Sequence, residues 1–376
     1  MIKPQSQKLI LVVSGLALCA MLALAGAHAQ SGGAAPASSA PKLAEEQFKN
    51  IQVFKGVPAD QVIPAMQFMA ASLGVECEFC HVRGDRGLVF DKDDKKEKVT
   101  ARKMVQMELA INKENFDGHL AVTCNSCHNG SEQPSNTPSV IAKVTEKPAN
   151  TKATLPPADQ LLDKYLTAVG GADALQKVSS RVEKGAIKSA GQPDAPIEVF
   201  AKAPDKRISV THLQQGESIT AFDGHSGWTG FGGRARPMSA ADNEMAHMDA
   251  DLSFPAHVKS MYQKFVTQPG EPINGHETYV VVGRSEGRQP LRLYFDQQSG
   301  LLLRLVRFLD TPIGRNPTQI DYADYREVNG VKVPFRWTIS RPGNSFTIQI
   351  DQAQQNVPVD DAKFAQPPPS AAPAAH

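Results

Sequence analysis

The chain has 376 residues, with 40 Lys+Arg against 39 Asp+Glu and a formal net charge of +1. That balance excludes the strongly basic surface of a nucleic-acid binder and the charge excess of a disordered polyanion. Hydrophobic residues make up 41%, enough to bury cores in one to three domains, and five cysteines are too few to staple a chain of this length.

Lys3 and Lys8 precede an apolar run from Leu9 to Ala25, which ends in Ala27-His28-Ala29. A basic start, an apolar run and small residues at an A-x-A site predict a signal peptide over residues 1–29. An uncleaved membrane anchor is the alternative, because the run approaches the length of a bilayer span. Cys19 leaves with the leader, so the mature chain keeps four cysteines. The expected location is the periplasm, with membrane association left open.

Residues 30–41 read as a flexible Ala/Ser/Gly/Pro linker. Residues 42–130 form a unit that holds all four remaining cysteines. A helix starts around Gly56–Asp60, carries Val62, Met66, Met69 and Leu73 at helical spacing, and stops at Gly74. A second runs from about Lys98 to Asn112 with Thr100, Met104, Met107 and Ile111 on one face. The unit carries 12 Lys/Arg and 13 Asp/Glu, and the mixed run Asp91–Lys98 reads as a solvated loop or helix start.

Residues 131–157 are a Pro/Ser/Thr-rich linker, and residues 158–362 form a cysteine-free domain. Its Ala158–Val178 stretch is helical with a break near Gly170-Gly171. Alternating segments then predict strands at Val182–Ser189, Ile197–Lys202, Arg207–Leu213 and Ser218–Phe222. Residues 238–265 read as helical. Further strands are expected at Thr278–Gly283, Leu291–Phe295, Leu301–Phe308, Ile320–Glu327, Val333–Ser340 and Phe346–Gln352. Asn329-Gly330 is a strong hairpin signal. The pattern predicts an antiparallel sheet of roughly seven to nine strands, and residues 363–376 read as a disordered tail.

The cysteines carry the chemistry. Cys77-Glu78-Phe79-Cys80-His81 and Cys124-Asn125-Ser126-Cys127-His128 are both C-x-x-C-H. Two thiols one helical turn apart can form thioethers to the vinyl groups of one haem, and the adjacent histidine then reaches the iron. Two disulfides or one zinc site are the alternatives. Zinc, however, does not require a histidine after the second cysteine of both pairs, and a redox dithiol expects a βαβ context that is absent.

Each of the two covalent haem c groups needs a sixth ligand or an open site, and a methionine opposite histidine suits electron transfer. Met66 and Met69 precede the first motif, and Met104 and Met107 precede the second. Methionines on helical faces are usually core fillers, and His119 is a competing ligand. The repeated helix, turn and C-x-x-C-H suggests internal duplication. The fold class is therefore multidomain: an N-terminal all-α dihaem cytochrome c domain, followed by an α+β domain with an antiparallel, curled sheet.

The stretch Asn50–Gly130 resembles the reaction-centre-type multihaem cytochrome c subunit family. The matching words are Asn50-Ile51-Gln52-Val53, Ala65-Met66, Thr100-Ala101-Arg102-Lys103-Met104, Ile111-Asn112, Val122-Thr123-Cys124 and Cys127-His128-Asn129-Gly130. The resemblance implies that Met66 pairs with His81 and Met104 with His128, with Met69 and Met107 as alternates. Photosynthetic members carry four haems, whereas this chain has two attachment motifs, and no photosynthetic role follows.

The C-terminal domain resembles half-barrel lipoprotein-carrier folds. Tyr165 with Gly170-Gly171-Ala172-Asp173-Ala174-Leu175, then Lys202-Ala203-Pro204-Asp205-Lys206 and the segment Tyr325–Pro334 carry this likeness. It implies a concavity for a lipid or quinone, which Trp228 and Trp337 could line; a plain docking domain is the alternative.

The reading is a periplasmic dihaem c-type cytochrome, a single-electron carrier with His/Met-ligated iron and no general acid or base. Its partners are other redox proteins as donor and acceptor, with a membrane complex among the candidates. A dihaem peroxidase-like enzyme and a lipid- or quinone-binding protein with a redox domain are the rivals.

Overall fold

A computed structural model describes residues 42–85, 87–134 and 155–367. The expected signal peptide and first linker, the middle of the expected second linker and the end of the expected tail lie outside these residues. Among the described residues, no helix is long and apolar enough to cross a membrane.

The N-terminal part begins with α1 (Ala44–Gln47) and α2 (Val62–Leu73). Gly74 stops α2 at the expected place, in the left-handed region at φ 68°. The first motif forms the single turn α3 (Cys77–Cys80), followed by the hairpin β1 (Val82–Gly84) and β2 (Gly87–Val89). The expectation of an all-helical unit is therefore corrected. The three-residue strands were too short to show an alternating pattern.

The long helix α4 (Lys96–Asn115) precedes the second motif, which forms α5 (Cys124–His128). The buried stripe of α4 is Lys98, Val105, Glu108 and Asn112, whereas Met104 and Met107 lie exposed. The apolar periodicity pointed to the methionine face instead. Three of the four buried side chains are polar, so hydropathy could not mark them.

Ala158–Val178 divides into α6 (Ala158–Ala168) and α7 (Ala172–Gln176) at the glycine pair, as expected. Thirteen strands then form one antiparallel, curled sheet, more than the seven to nine expected. One run is β3 (Ser180–Lys188), β4 (Ala195–Lys202), β5 (Lys206–Leu213), β6 (Gly216–Phe222), β7 (Gly227–Phe231) and β8 (Arg234–Pro237). The helices α8 (Ala240–Ala250) and α9 (Phe254–His257) follow. A second run comprises β9 (Lys264–Pro269), β10 (Thr278–Arg284), β11 (Leu291–Asp296), β12 (Leu302–Thr311), β13 (Gly314–Val328), β14 (Val331–Arg341) and β15 (Asn344–Gln355).

Glycines around the β7–β8 hairpin dilute its alternation, which is why those strands escaped sequence reading. The helical expectation over 238–265 holds only for α8, α9 and a short 3-10 turn, because Lys264 already opens β9. Asn329 (φ 48°) and Gly330 (φ 81°) both occupy the left-handed region that the tight β13–β14 hairpin requires.

The last strand joins the two runs. β15 pairs with β3, and the Asn356 amide donates to the Ser180 carbonyl at 3.0 Å. Gly185 sits where a Cβ would collide with the Gln349–Ile350 backbone, beside the irregular register at Ile350/Gln352.

Leu161, Leu162 and Tyr165 of α6 and Leu175 of α7 pack with Val281, Leu293, Phe295, Phe335 and Ile350 of the sheet. This face of the sheet is thus filled by helices. Trp337 packs half-buried against the same cluster, whereas Trp228 belongs to a separate cluster and donates to the Phe364 carbonyl at 3.0 Å.

Candidate haem-attachment site

Each C-x-x-C-H word folds into one short helical turn, so its two sulfurs share a helix and its histidine ends it. All four cysteines are free, with Cys77 and Cys127 exposed and Cys80 and Cys124 half-buried. Among the described residues, no group of three or more His, Cys, Asp or Glu side chains is placed to hold a metal ion.

The second motif is held from several directions. Asn112, 3% exposed, accepts from the Ala121 and Val122 amides at 3.0 Å each and donates to the Val122 carbonyl at 2.6 Å. One helix side chain thereby fixes the strap entering α5. The Thr123 amide donates to Ser126 Oγ at 3.1 Å, and Asn129 closes the helix in the left-handed region. Beyond it, the Gly130 amide donates to the Ser72 carbonyl of α2 at 2.8 Å. A Cβ at Gly74 would strike the Gly130 carbonyl, so glycine permits this approach.

His128 Nδ1 lies 3.0 Å from the Ser131 carbonyl. A carbonyl can only accept, so Nδ1 carries the proton and Nε2 keeps the lone pair that a metal ligand needs. His81 meets the Phe90 ring edge-on at 5.0 Å, and its Nδ1 is enclosed without a hydrogen-bond partner. Burial, followed by the charge of Lys98, lowers the His81 pKa and favours the neutral, ligating imidazole.

Burial pushes the Cys80 and Cys124 thiols up from their ordinary range. Cys124 Sγ also donates to Glu108 Oε2 at 2.9 Å, and burial raises the pKa of that carboxyl. A thioether carries no ionisable proton and fits such half-buried sulfurs without a charge to solvate. The donor set fits covalent haem, and among the described residues the two motifs are not gathered into a common group of three or more metal ligands.

Met66 and Met69 are half-buried in the cluster of Phe54, Val62, Ala65 and Val105, which Cys124 also joins. Met104 and Met107 lie one turn apart, 37% and 47% exposed. Among the described residues, seven of the nine exposed large hydrophobics, Ile63, Phe90, Val99, Met104, Met107, Phe116 and Leu120, fall on the elements flanking the two motifs. His119 sits in the loop between α4 and α5 and is exposed.

Sequence reading missed Glu108 and the Ser131 carbonyl. A lone glutamate on a helix reads as solvent-facing, and a backbone acceptor has no residue signature at all. Asn112 was visible only as part of a family word.

An ion network secures the start of α4. Arg102 grips Asp93 with two bonds of 2.8 and 2.9 Å, and Asn50 Nδ2 donates to the same carboxylate at 2.8 Å. Lys98 Nζ donates to the Phe90 and Lys92 carbonyls at 2.7 and 2.6 Å. Hydrogen bonds from Arg102 and then Asn50 hold the Asp93 carboxyl well below its usual range.

A depressed folded-state pKa stabilises the protein above the unfolded carboxylate value of roughly 4, and this stabilisation is lost as pH falls through the folded value. Asp93→Asn should remove that acid-side loss and cost under about 1 kcal/mol at neutral pH, because the carboxylate is partly exposed. Urea melts of both proteins between acid and neutral pH check this. Identical pH profiles would show that the network contributes nothing.

Comparison with known proteins places these features. Residues 21–171 match the family model of the photosynthetic reaction centre cytochrome C subunit. The photosynthetic reaction center cytochrome c subunit of Roseobacter denitrificans is 35% identical over 116 residues, 29% of this chain and 31% of that protein. Cytochrome c-554 of Chloroflexus aurantiacus is 30% identical over 117 residues, 29% of this chain and 27% of that protein. The chain thus spans under a third of the length of these curated relatives.

Among solved structures, a DUF1329 family protein from Desulfovibrio piger is 13% identical, covering 56% of this chain and 98% of that one at a TM-score of 0.40. A LolA superfamily protein from Nitrosomonas europaea is 12% identical, covering 56% and 99% at a TM-score of 0.38. By its sequence, the stretch 21–171, which contains both C-x-x-C-H helices, matches the photosynthetic reaction centre cytochrome C subunit family.

Proposed function

We propose that this protein is an exported dihaem c-type cytochrome that carries single electrons between redox proteins in the periplasm. Cys77 and Cys80 hold one haem with His81 as iron ligand, and Cys124 and Cys127 hold the other with His128. Met66 and Met104 complete the ligation, with Met69 and Met107 as alternates. When bound, each haem supplies a reversible one-electron iron couple.

The surrounding residues do the positioning. His128 keeps its ligating nitrogen free through the Ser131 carbonyl, and Asn112 fixes the strap before Cys124. The exposed apolar side chains beside the motifs can exclude water from a bound porphyrin, which raises its potential. No proton transfer is assigned, because electron carriage needs none.

The carrying observation is the pair of one-turn C-x-x-C-H helices with four unbridged sulfurs, set among exposed apolar side chains. The test is production in an export-competent host with cytochrome c maturation, followed by intact mass and a redox titration. Two covalent haems and two one-electron waves are expected. A colourless product with unmodified thiols would overturn the proposal.

A further inference from the structure

The helix α2 is gripped from the sheet. Asn316, 6% exposed on β13, donates from Nδ2 to the Pro64 carbonyl at 2.8 Å, across 252 residues of sequence. At Gly314 a Cβ would run into the Phe68 ring. Ile313, fully buried at the turn between β12 and β13, belongs to the same apolar cluster as Phe54, Val62, Ala65 and Val105. The turn is itself braced: Thr311 Oγ1 donates to the Gly314 carbonyl at 2.9 Å.

The opposite side of α2 carries the methionines. Successive helical residues turn by about 100°, so Phe68 stands roughly 160° from Met66 around the axis. Val62, Met66, Met69 and Leu73 share one face, while Pro64 and Phe68 present the other to the hairpin. The end of α2 is tied separately, through the Ser72 carbonyl and Gly130, to the segment after α5. Rotation and translation of α2 are therefore restrained at both ends.

Building on the haem reading above, we infer that the β12–β13 hairpin is a positioning element for the ligand helix: Ile313, Gly314 and Asn316 set the placement of α2 and so the reach of the Met66 thioether toward iron. Asn316 acts through the Pro64 carbonyl and Gly314 through the Phe68 ring, whereas Ile313 acts through the apolar cluster against which Met66 and Phe68 pack. The extra domain is thus part of what defines the reduction potential of one haem. A ligand or protein that distorted the hairpin would shift that potential without touching the porphyrin.

The test compares the full-length holoprotein with Asn316→Ala, Gly314→Ala, the double variant Gly314→Ala with Phe68→Leu, and Val306→Ala. Val306 lies on β12, the partner strand of the same hairpin, in a cluster with Val280, Val282 and Tyr294 that holds no residue of α2, so it controls for general weakening of the sheet.

Intact mass counts the haems first. Redox titration, the iron–methionine charge-transfer absorption and amide hydrogen exchange of α2 follow. Asn316→Ala and Gly314→Ala should keep the wild-type haem count, lower one potential, weaken the absorption and speed α2 exchange about fivefold to tenfold, as loss of a buried contact does. Phe68→Leu should recover the part of the Gly314→Ala effect that comes from collision with the ring, the backbone strain of a side chain at φ 156° remaining, and Val306→Ala should leave the potential in place.

Unchanged potentials and unchanged α2 exchange in Asn316→Ala and Gly314→Ala would overturn the inference. So would an equal shift in Val306→Ala. A wild-type mass without haem instead overturns the electron-carrier reading, before any variant is compared.

Discussion

Met66→Ala should lower the reduction potential of one haem by on the order of 100 mV or more, a fraction of the roughly 0.8 V range that axial ligands span. Loss of a thioether removes the ligand that favours reduced iron. Met104→Ala should do the same to the other haem, whereas the alternates Met69→Ala and Met107→Ala should leave both potentials near wild type. A redox titration with optical detection reads all four.

The structure makes the pairing itself worth testing. Met66 and Met69 share their apolar cluster with Cys124 of the second motif, whereas the family resemblance assigns Met66 to His81. Combining Met66→Ala with Cys77→Ala and Cys80→Ala leaves only the second haem in place. If that haem keeps its potential, Met66 serves His81; if it falls, Met66 serves His128. Peroxide turnover in either methionine variant that exceeded a carrier's background would favour the peroxidase-like rival.

Asn112→Leu should be the most damaging single substitution in the N-terminal part. It strands two strap amides and one carbonyl at a site 3% exposed, and each buried group left unpaired costs about 1–3 kcal/mol. A total near 3 kcal/mol is expected, because partial hydration of the strap recovers some of it. Thermal melts measure the loss. Intact mass should also show less haem at Cys124 and Cys127, since the strap no longer presents them. A melt within error of wild type would mean that Asn112 is incidental.

Much of this protein is legible from local pattern. The attachment words are contiguous, and their meaning lies in a five-residue spacing that one helical turn satisfies. Gly74 at the end of α2 and Asn329-Gly330 between β13 and β14 could be read because local backbone sterics single out such residues at helix stops and tight turns. The break at Gly170-Gly171 follows from the same sterics.

What failed locally failed for identifiable reasons. The buried side of α4 is polar, with Lys98, Glu108 and Asn112 paired to backbone and thiol, so the hydrophobic stripe pointed to the wrong face. The strands β7 and β8 hide among glycines. Burial of a polar residue depends on partners that approach from elsewhere in the chain.

By itself, then, the sequence determined the two C-x-x-C-H sites, the helices before them and most strands of the sheet, because each depends on residues within a few positions of one another. Only the tertiary structure decided that β15 returns to pair with β3, which face of α4 is covered, and that Asn316 reaches Pro64. Those outcomes rest on contacts between distant segments, and no periodicity in the chain encodes a contact whose two halves lie hundreds of residues apart.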